Sequence, residues 1–396
     1  MISLAQDAAS ELIYPLLPIL VAGAVGAAPL ALGVIEGAAE FAAGFTKLYS
    51  GKLSDRFGRK PFVVGGYSLT GFGKALTVLT FTWPGIFAGR VIDRIGKGMR
   101  GAPRDALIHD GVDDKDLGKA FGFHRAGDNF GAVIGPLFAL LLLSILDNDV
   151  RAVAKWALIP ALLSALLTFF IKDMKSQVSK TKFNKAPLGK DLQKIIWILV
   201  AIQVSNIPDA LLLLRLHQIG FSTKGVVMGY ALYMFVAMLV AYPAGKLADR
   251  LHPKSIYLIG LIFFALSYIL LGSTQNHMVA LVALGIYGLF PALTDGVGKT
   301  WIGAISAANA RGYTQGVFQA SLNFAVLGAG LWAGALWVRH GIAWPLVISS
   351  IGSLIGAIFI AKNFRCIPGP RNHTRNTHSH RLDHNVRECL IDRRKA

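Results

Sequence analysis

The sequence predicts an all-α integral membrane protein with about twelve transmembrane helices in two pseudo-symmetric six-helix bundles, and three observations carry that expectation. Hydrophobic residues make up 54% of the 396 and charged residues 16%, with a mean hydropathy of +0.52, whereas soluble domains average about 25% charged. Apolar segments long enough for a bilayer core about 30 Å thick, which takes roughly 20 helical residues, recur from one end almost to the other. Two polar blocks also repeat at a single displacement, which splits the chain into equivalent halves.

The apolar spans follow in order: 2–24, 29–49, 62–82, 83–104, 118–146, 152–171, 191–214, 222–244, 255–273, 277–298, 311–337 and 342–362. The first is long enough to cross and others follow it, so it reads as a span rather than a cleavable signal. The stretch 172–190, rich in lysine among Ser, Thr, Asn and Pro, reads as a basic cytoplasmic linker between a bundle over 1–171 and a bundle over 191–362. Residues 363–396 form a polar basic tail whose histidines lack ligand spacing, so disorder is expected there and no metal site. Cys366 and Cys389 both fall in that tail and offer neither a disulfide framework nor a CxxC site.

A net charge of +18 raises nucleic acid as a partner, but the placement of the charge excludes it. Lys52, Arg56, Arg59 and Lys60 sit between spans, as do Lys246, Arg250 and Lys254, while Arg100, Arg104, Lys115 and Lys119 sit at or between the facing ends of the fourth and fifth spans; the connections near 25, 82 and 275 carry almost no basic residues. That alternation puts both termini in the cytoplasm of a multi-pass cell-membrane protein, with lipid as the partner of the basic residues.

GKLSDRFGRK at 51–60 matches GKLADRLHPK at 245–254, a displacement of 194 residues. At the same displacement Gly118, Gly122, Ala126, Asn129 and Phe130 pair with Gly312, Gly316, Ala320, Asn323 and Phe324. Halves of this kind are expected to be related by an axis along the membrane normal. The run GKLSDRFGRKP resembles the signature loop of the major facilitator superfamily, which lies between the second and third helices. The resemblance covers roughly 3–362 and implies that family's fold. It assigns Gly51, Asp55, Arg56, Gly58, Arg59 and Lys60 to a gating loop whose second copy keeps Gly245, Asp249 and Arg250 but departs at Leu251, His252 and Pro253. In the fourth span Arg90 is similar to that family's fourth-helix arginine motif, with Asp93 and Arg94 in place of the usual Gln and Gly. GAVIGP at 131–136 resembles the start of the antiporter motif of drug and proton exchangers, without its closing glycines; a small-residue packing face explains the same glycines.

Ionisable residues at bilayer depth are costly and point to function by default. Asp7, Glu11 and Tyr14 fall at i, i+4 and i+7, Glu36 and Glu40 share a face, and Arg90, Asp93, Arg94 and Lys97 lie along one face of the fourth span. The expected proton-coupling and substrate-cavity residues are Asp7, Glu11, Glu36, Glu40, Arg90, Arg125, Asp128 and Asp209. Those of the first half are read as one charged network, with functional roles for Glu11 and Arg90 and structural pairing for Asp93 and Arg94. The second half is poorer in charge, with Asp209, Asp295 and Lys299, and is expected to supply a cavity wall in which Phe235, Tyr287, Phe290 and Trp301 are available. The expected activity is alternating-access transport of a small organic solute by a monomer that uses the proton gradient and no cofactor. Proton-coupled efflux of a drug-like compound or siderophore ranks first, uptake symport of an organic anion, sugar or nutrient second, and a non-transporting receptor third. No HExxH, GxSxG or clustered His set lies within the spans, which argues against an enzyme.

Overall fold

In lipid every backbone polar group must be satisfied within the chain, so apolar runs of this length fold as helices. The computed structural model describes residues 2–25, 29–110, 117–171, 189–250, 253–305 and 311–363. Of the linker expected over 172–190 and the tail expected over 363–396, residues 172–188 and 364–396 lie outside the described residues, as do the side chains of Asp55, Arg125, Asp249 and Arg250. The first span comprises α1 (Ile2–Ile13), a 3-10 turn (Tyr14–Leu16) and α2 (Leu17–Val25). Then come α3 (Pro29–Phe57), α4 (Arg59–Leu79), α5 (Trp83–Asp110), α6 (Leu117–Ile145) and a sixth span made of α7 (Val150–Trp156) and α8 (Leu158–Phe169). The second half opens with α9 (Lys190–Val204) and α10 (Asp209–Gln218), which share the seventh span. It continues through α11 (Thr223–Arg250), α12 (Pro253–Ser273), α13 (His277–Ile305), α14 (Arg311–His340) and α15 (Ala343–Asn363).

The starts Pro29, Arg59, Trp83 and Leu117 recur at Thr223, Pro253, His277 and Arg311, each 194 residues on. The displacement read from two short blocks therefore holds for four consecutive helix starts in each half. Nine of the described helical segments are long and apolar enough to cross a bilayer. α3, α5 and α6 fall short of that measure, and they are the helices that carry Glu36, Glu40, Arg90 and Asp128.

Two local features differ from the sequence reading. The first and seventh spans are broken rather than continuous, at Pro15 inside the 3-10 turn and at Pro208 just before α10. Proline removes an N–H and crowds the preceding turn, and such breaks are tolerated at this depth where they line a cavity. Second, the 51–60 motif is not an open loop. α3 continues to Phe57 and α4 begins at Arg59, so the connection is Gly58 alone at φ 93, a backbone angle that only glycine adopts freely. Pro253 opens α12, where its missing N–H is not needed.

The halves meet along two seams, α3 against α14 and α6 against α11. On the first seam Gly33 faces Gly330 backbone to backbone, and a methyl group on either would overlap the other. This contact closes the first seam toward the end of α3 opposite the 51–60 turn.

Candidate functional site

Charge enters the first half where glycine lets two helices touch. A methyl group on Gly66 or Gly73 of α4, or on Gly89 or Gly96 of α5, would overlap the facing helix. At that contact Lys74 of α4 meets Asp93 of α5 at 2.9 Å. Asp93 also accepts from Arg90 at 3.3 Å, and Glu36 of α3 grips Arg90 with two bonds of 2.8 Å. All four residues are buried, at 2–3% exposure, and they form a neutral chain of two cations and two carboxylates, the condition under which buried charge persists. Arg94 pairs with Glu40 at 3.2 Å. Arg90 is thus fully engaged by carboxylates of its own half. Asp128 does not join this set: it pairs with His124 at 3.3 Å.

The second feature crosses between the halves. Gly131 and Gly135 of α6 lie directly against the α1 backbone near Leu4, Ala8 and Glu11, so GAVIGP is a packing face that seats the helix carrying Glu11. Glu11 accepts a 2.5 Å hydrogen bond from the Tyr230 hydroxyl of α11. Tyr14, at the break of the first span, has its ring centroid 5.4 Å from that of Tyr230 and lies beneath the Arg90 guanidinium at 5.6 Å. Two further polar contacts bridge the halves: Asn323 donates to Glu40 at 3.2 Å, and Lys47 donates to Gln319. On the 51–60 side the halves enclose a cavity of about 400 Å³, lined by Asp7, Glu11, Glu40, Lys97, Arg104 and Asp128 among others. Asp7 lies 4.0 Å from Arg100 in its wall.

Asp209 stands apart, at the start of α10 beside the second break. Tyr287 donates to one of its oxygens at 2.6 Å and Tyr233 to the other at 3.0 Å. A smaller cavity of about 150 Å³ reaches it, lined also by Tyr14, Glu36, Glu40 and Asn206. The rings form a continuous run, with Tyr230 to Tyr233 at 5.6 Å and Tyr233 to Tyr287 at 5.1 Å.

Two lysines of the expected gating blocks bond within their own halves. Lys60 donates to the Phe169 carbonyl at 3.0 Å, and its repeat partner Lys254 donates to the Ala361 carbonyl at 3.0 Å. Each lysine thereby caps the final turn of the sixth span of its half, where carbonyls lack partners and a cation suits the helix dipole. Ser50 ties α3 to the Gly98 carbonyl of α5 at 3.0 Å, and Arg56 lies over the Phe57 ring. Of the aromatics expected in the cavity wall, Tyr287 reaches the site, Phe290 and Trp301 are packed in the core, and Phe235 is exposed.

Sequence reasoning missed Lys74, Tyr230, Tyr233 and Asn323. A lysine inside an apolar span is itself a signal. Asn323 showed only as a member of the repeat block, and Tyr230 and Tyr233 carry no signal, because these roles exist only once α11 and α14 meet the first half.

Twelve spans in two equivalent halves, with carboxylates at broken helices and a cavity between the halves, define a secondary transporter. The sequence profile of the Major Facilitator Superfamily matches residues 1–207 and again 195–388, and the chain belongs to that family; it is a multi-pass membrane transporter and not an enzyme. It is 32% identical over 350 residues to an uncharacterized MFS-type transporter of Methanocaldococcus jannaschii, covering 85% of this chain and 86% of that protein. It is 24% identical over 339 residues to the multidrug resistance protein MdtH of Klebsiella pneumoniae, covering 82% of each. Among solved structures it resembles the nucleoside transporter NupG (TM-score 0.73, 13% identity, 92% of this chain and 98% of that one). It also resembles the xylose transporter XylE from E. coli in its inward open conformation (TM-score 0.72, 17% identity, 94% and 97%).

Proposed function

We propose that this protein exports a small organic solute in exchange for protons, with Glu11 as the proton-carrying group. The observation that carries the reading is the Glu11–Tyr230 hydrogen bond of 2.5 Å between the halves. An ionised Glu11 accepts a charge-assisted bond, roughly twice as strong as a neutral one. Protonation weakens that tie by about 1 to 2 kcal/mol, which shifts a two-state balance by about tenfold. A proton on Glu11 therefore loosens α1 from α11, and its release draws the halves together again. The cavity on the 51–60 side and the glycine seal at the opposite end fit one state of an alternating cycle.

Export is supported by the resemblance of the GAVIGP run to the start of the antiporter motif and by the similarity to a multidrug resistance protein. The basic connections support an orientation with the 51–60 turn and both termini in the cytoplasm of the cell membrane. Each chain holds both halves, which suits a monomer.

The test uses proteoliposomes with a pH-sensitive dye and a panel of cationic drugs, siderophores, sugars and organic anions. Solute entering as protons leave is expected for some compound, with the signal lost in Glu11→Gln while solute exchange persists. Solute and protons moving in the same direction would identify an uptake symporter instead. Wild-type proton flux in Glu11→Gln would remove Glu11 from the mechanism.

A further inference from the structure

The buried charges around the two broken spans do not all find an opposite charge. Glu36 and Asp93 are matched by Arg90 and Lys74, and Glu40 by Arg94. On the cavity wall Glu11 shares its surroundings with Lys97. Asp209 has no cation among its described contacts; its partners are the hydroxyls of Tyr233 and Tyr287. Two phenols each donate one hydrogen bond to it, which orients the carboxylate but leaves its charge unmatched. The rings of Tyr233 and Tyr287 therefore lie beside it, and a cavity of about 150 Å³ opens onto it, lined also by Tyr14 and by the carboxylate-bearing Glu36 and Glu40. Aromatic faces attract cations, most strongly where water is excluded. The broken helix that begins at Asp209 is also the kind of element that holds substrate in transporters built from repeats.

We propose that Asp209 and its tyrosines form a recognition site for a small organic cation of the arylalkyl-ammonium type. This deepens the proposed export function and rests on that reading for the direction of movement only. The proton site at Glu11 and the cation site at Asp209 lie in different halves. The adjacent rings of Tyr230 and Tyr233 join them: one donates to Glu11, the other to Asp209. A bound cation and a protonated Glu11 can thus influence each other through one pair of side chains.

The test is equilibrium binding to the purified full-length protein in detergent, with no gradient, using phenethylammonium and its uncharged analogue 2-phenylethanol. Wild type is expected to bind the cation saturably and at least about tenfold more tightly than the alcohol, the scale of a partly desolvated charge contact. Asp209→Asn is expected to erase that preference, and Asp209→Glu, which keeps the charge, to retain most of it. Glu11→Gln is expected to keep it as well. Equal binding of the two probes, no saturable binding of the cation, or a preference that survives Asp209→Asn would overturn the proposal. If the preference follows Glu11 and not Asp209, this inference fails while proton coupling through Glu11 stands. A preference that follows Asp209 in a protein that moves no protons supports this site and sinks the exchange reading.

Discussion

Replacing Lys74 with Met removes one cation from the buried chain while keeping an unbranched side chain only one atom shorter. Asp93 is then left with the 3.3 Å contact from Arg90, whose other bonds are already taken by two from Glu36 at 2.8 Å. The cluster changes from neutral to one excess negative charge at a site where the residues are 2–3% exposed. Removing one partner of such a pair costs about 3 to 5 kcal/mol, and the surviving Arg90 contact puts the expected loss near the lower end, about 3 kcal/mol. Thermal unfolding of the purified protein in detergent reads this as a clear fall in midpoint. The decisive comparison is Lys74→Met with Asp93→Leu. The double variant leaves Glu36 and Arg90 as a matched pair and is expected to recover stability beyond additivity, by about 1 to 3 kcal/mol of coupling. A Lys74→Met protein that melts with wild type, or a double variant no better than the sum of its parents, would refute the reasoning.

Other expectations follow from single contacts. Tyr230→Phe keeps the ring beside Tyr14 but removes the bond to Glu11, so solute exchange should persist while fewer protons move per solute in the dye assay; unchanged coupling would mean that the bond is incidental. Gly330→Leu forces bulk into the Gly33 backbone and should hold the sealed end open, read as faster labelling of a cysteine at position 30 by an impermeant thiol reagent, with the two native cysteines replaced. Gly58→Ala has room for its methyl group, since the nearest atom is Pro61 Cδ at 3.7 Å. Its cost is then the backbone angle alone, about 1 to 3 kcal/mol, seen as a lower melting midpoint, and an unshifted midpoint would show that the turn relaxes freely.

The number of helices and their pairing into halves could be read from the chain because both rest on local, periodic information. Length and apolarity decide what crosses a bilayer, and an identical displacement in two motifs implies equivalent folds. Glu11, Glu36, Glu40, Arg90 and Asp209 were visible for a related reason, since charge among apolar neighbours contrasts with its surroundings. The 51–60 motif was visible as a pattern, yet its physical form was not. Hydropathy cannot tell the polar end of a helix from a loop, so the helical turn before Phe57 and the capping of Phe169 by Lys60 emerged only from the three-dimensional arrangement.

By itself the sequence determined the fold class, the two equivalent halves and the set of ionisable groups that must find partners. Only the tertiary structure decided which partners they found. It gave Arg90 to Glu36 and Asp93, sent Asp128 to His124, joined Glu11 to a tyrosine 219 residues away and left Asp209 among phenols, with no cation among its described contacts. Such pairings depend on how helices distant in the chain face one another, and that is set by glycine contacts and proline breaks acting together, which no local window contains.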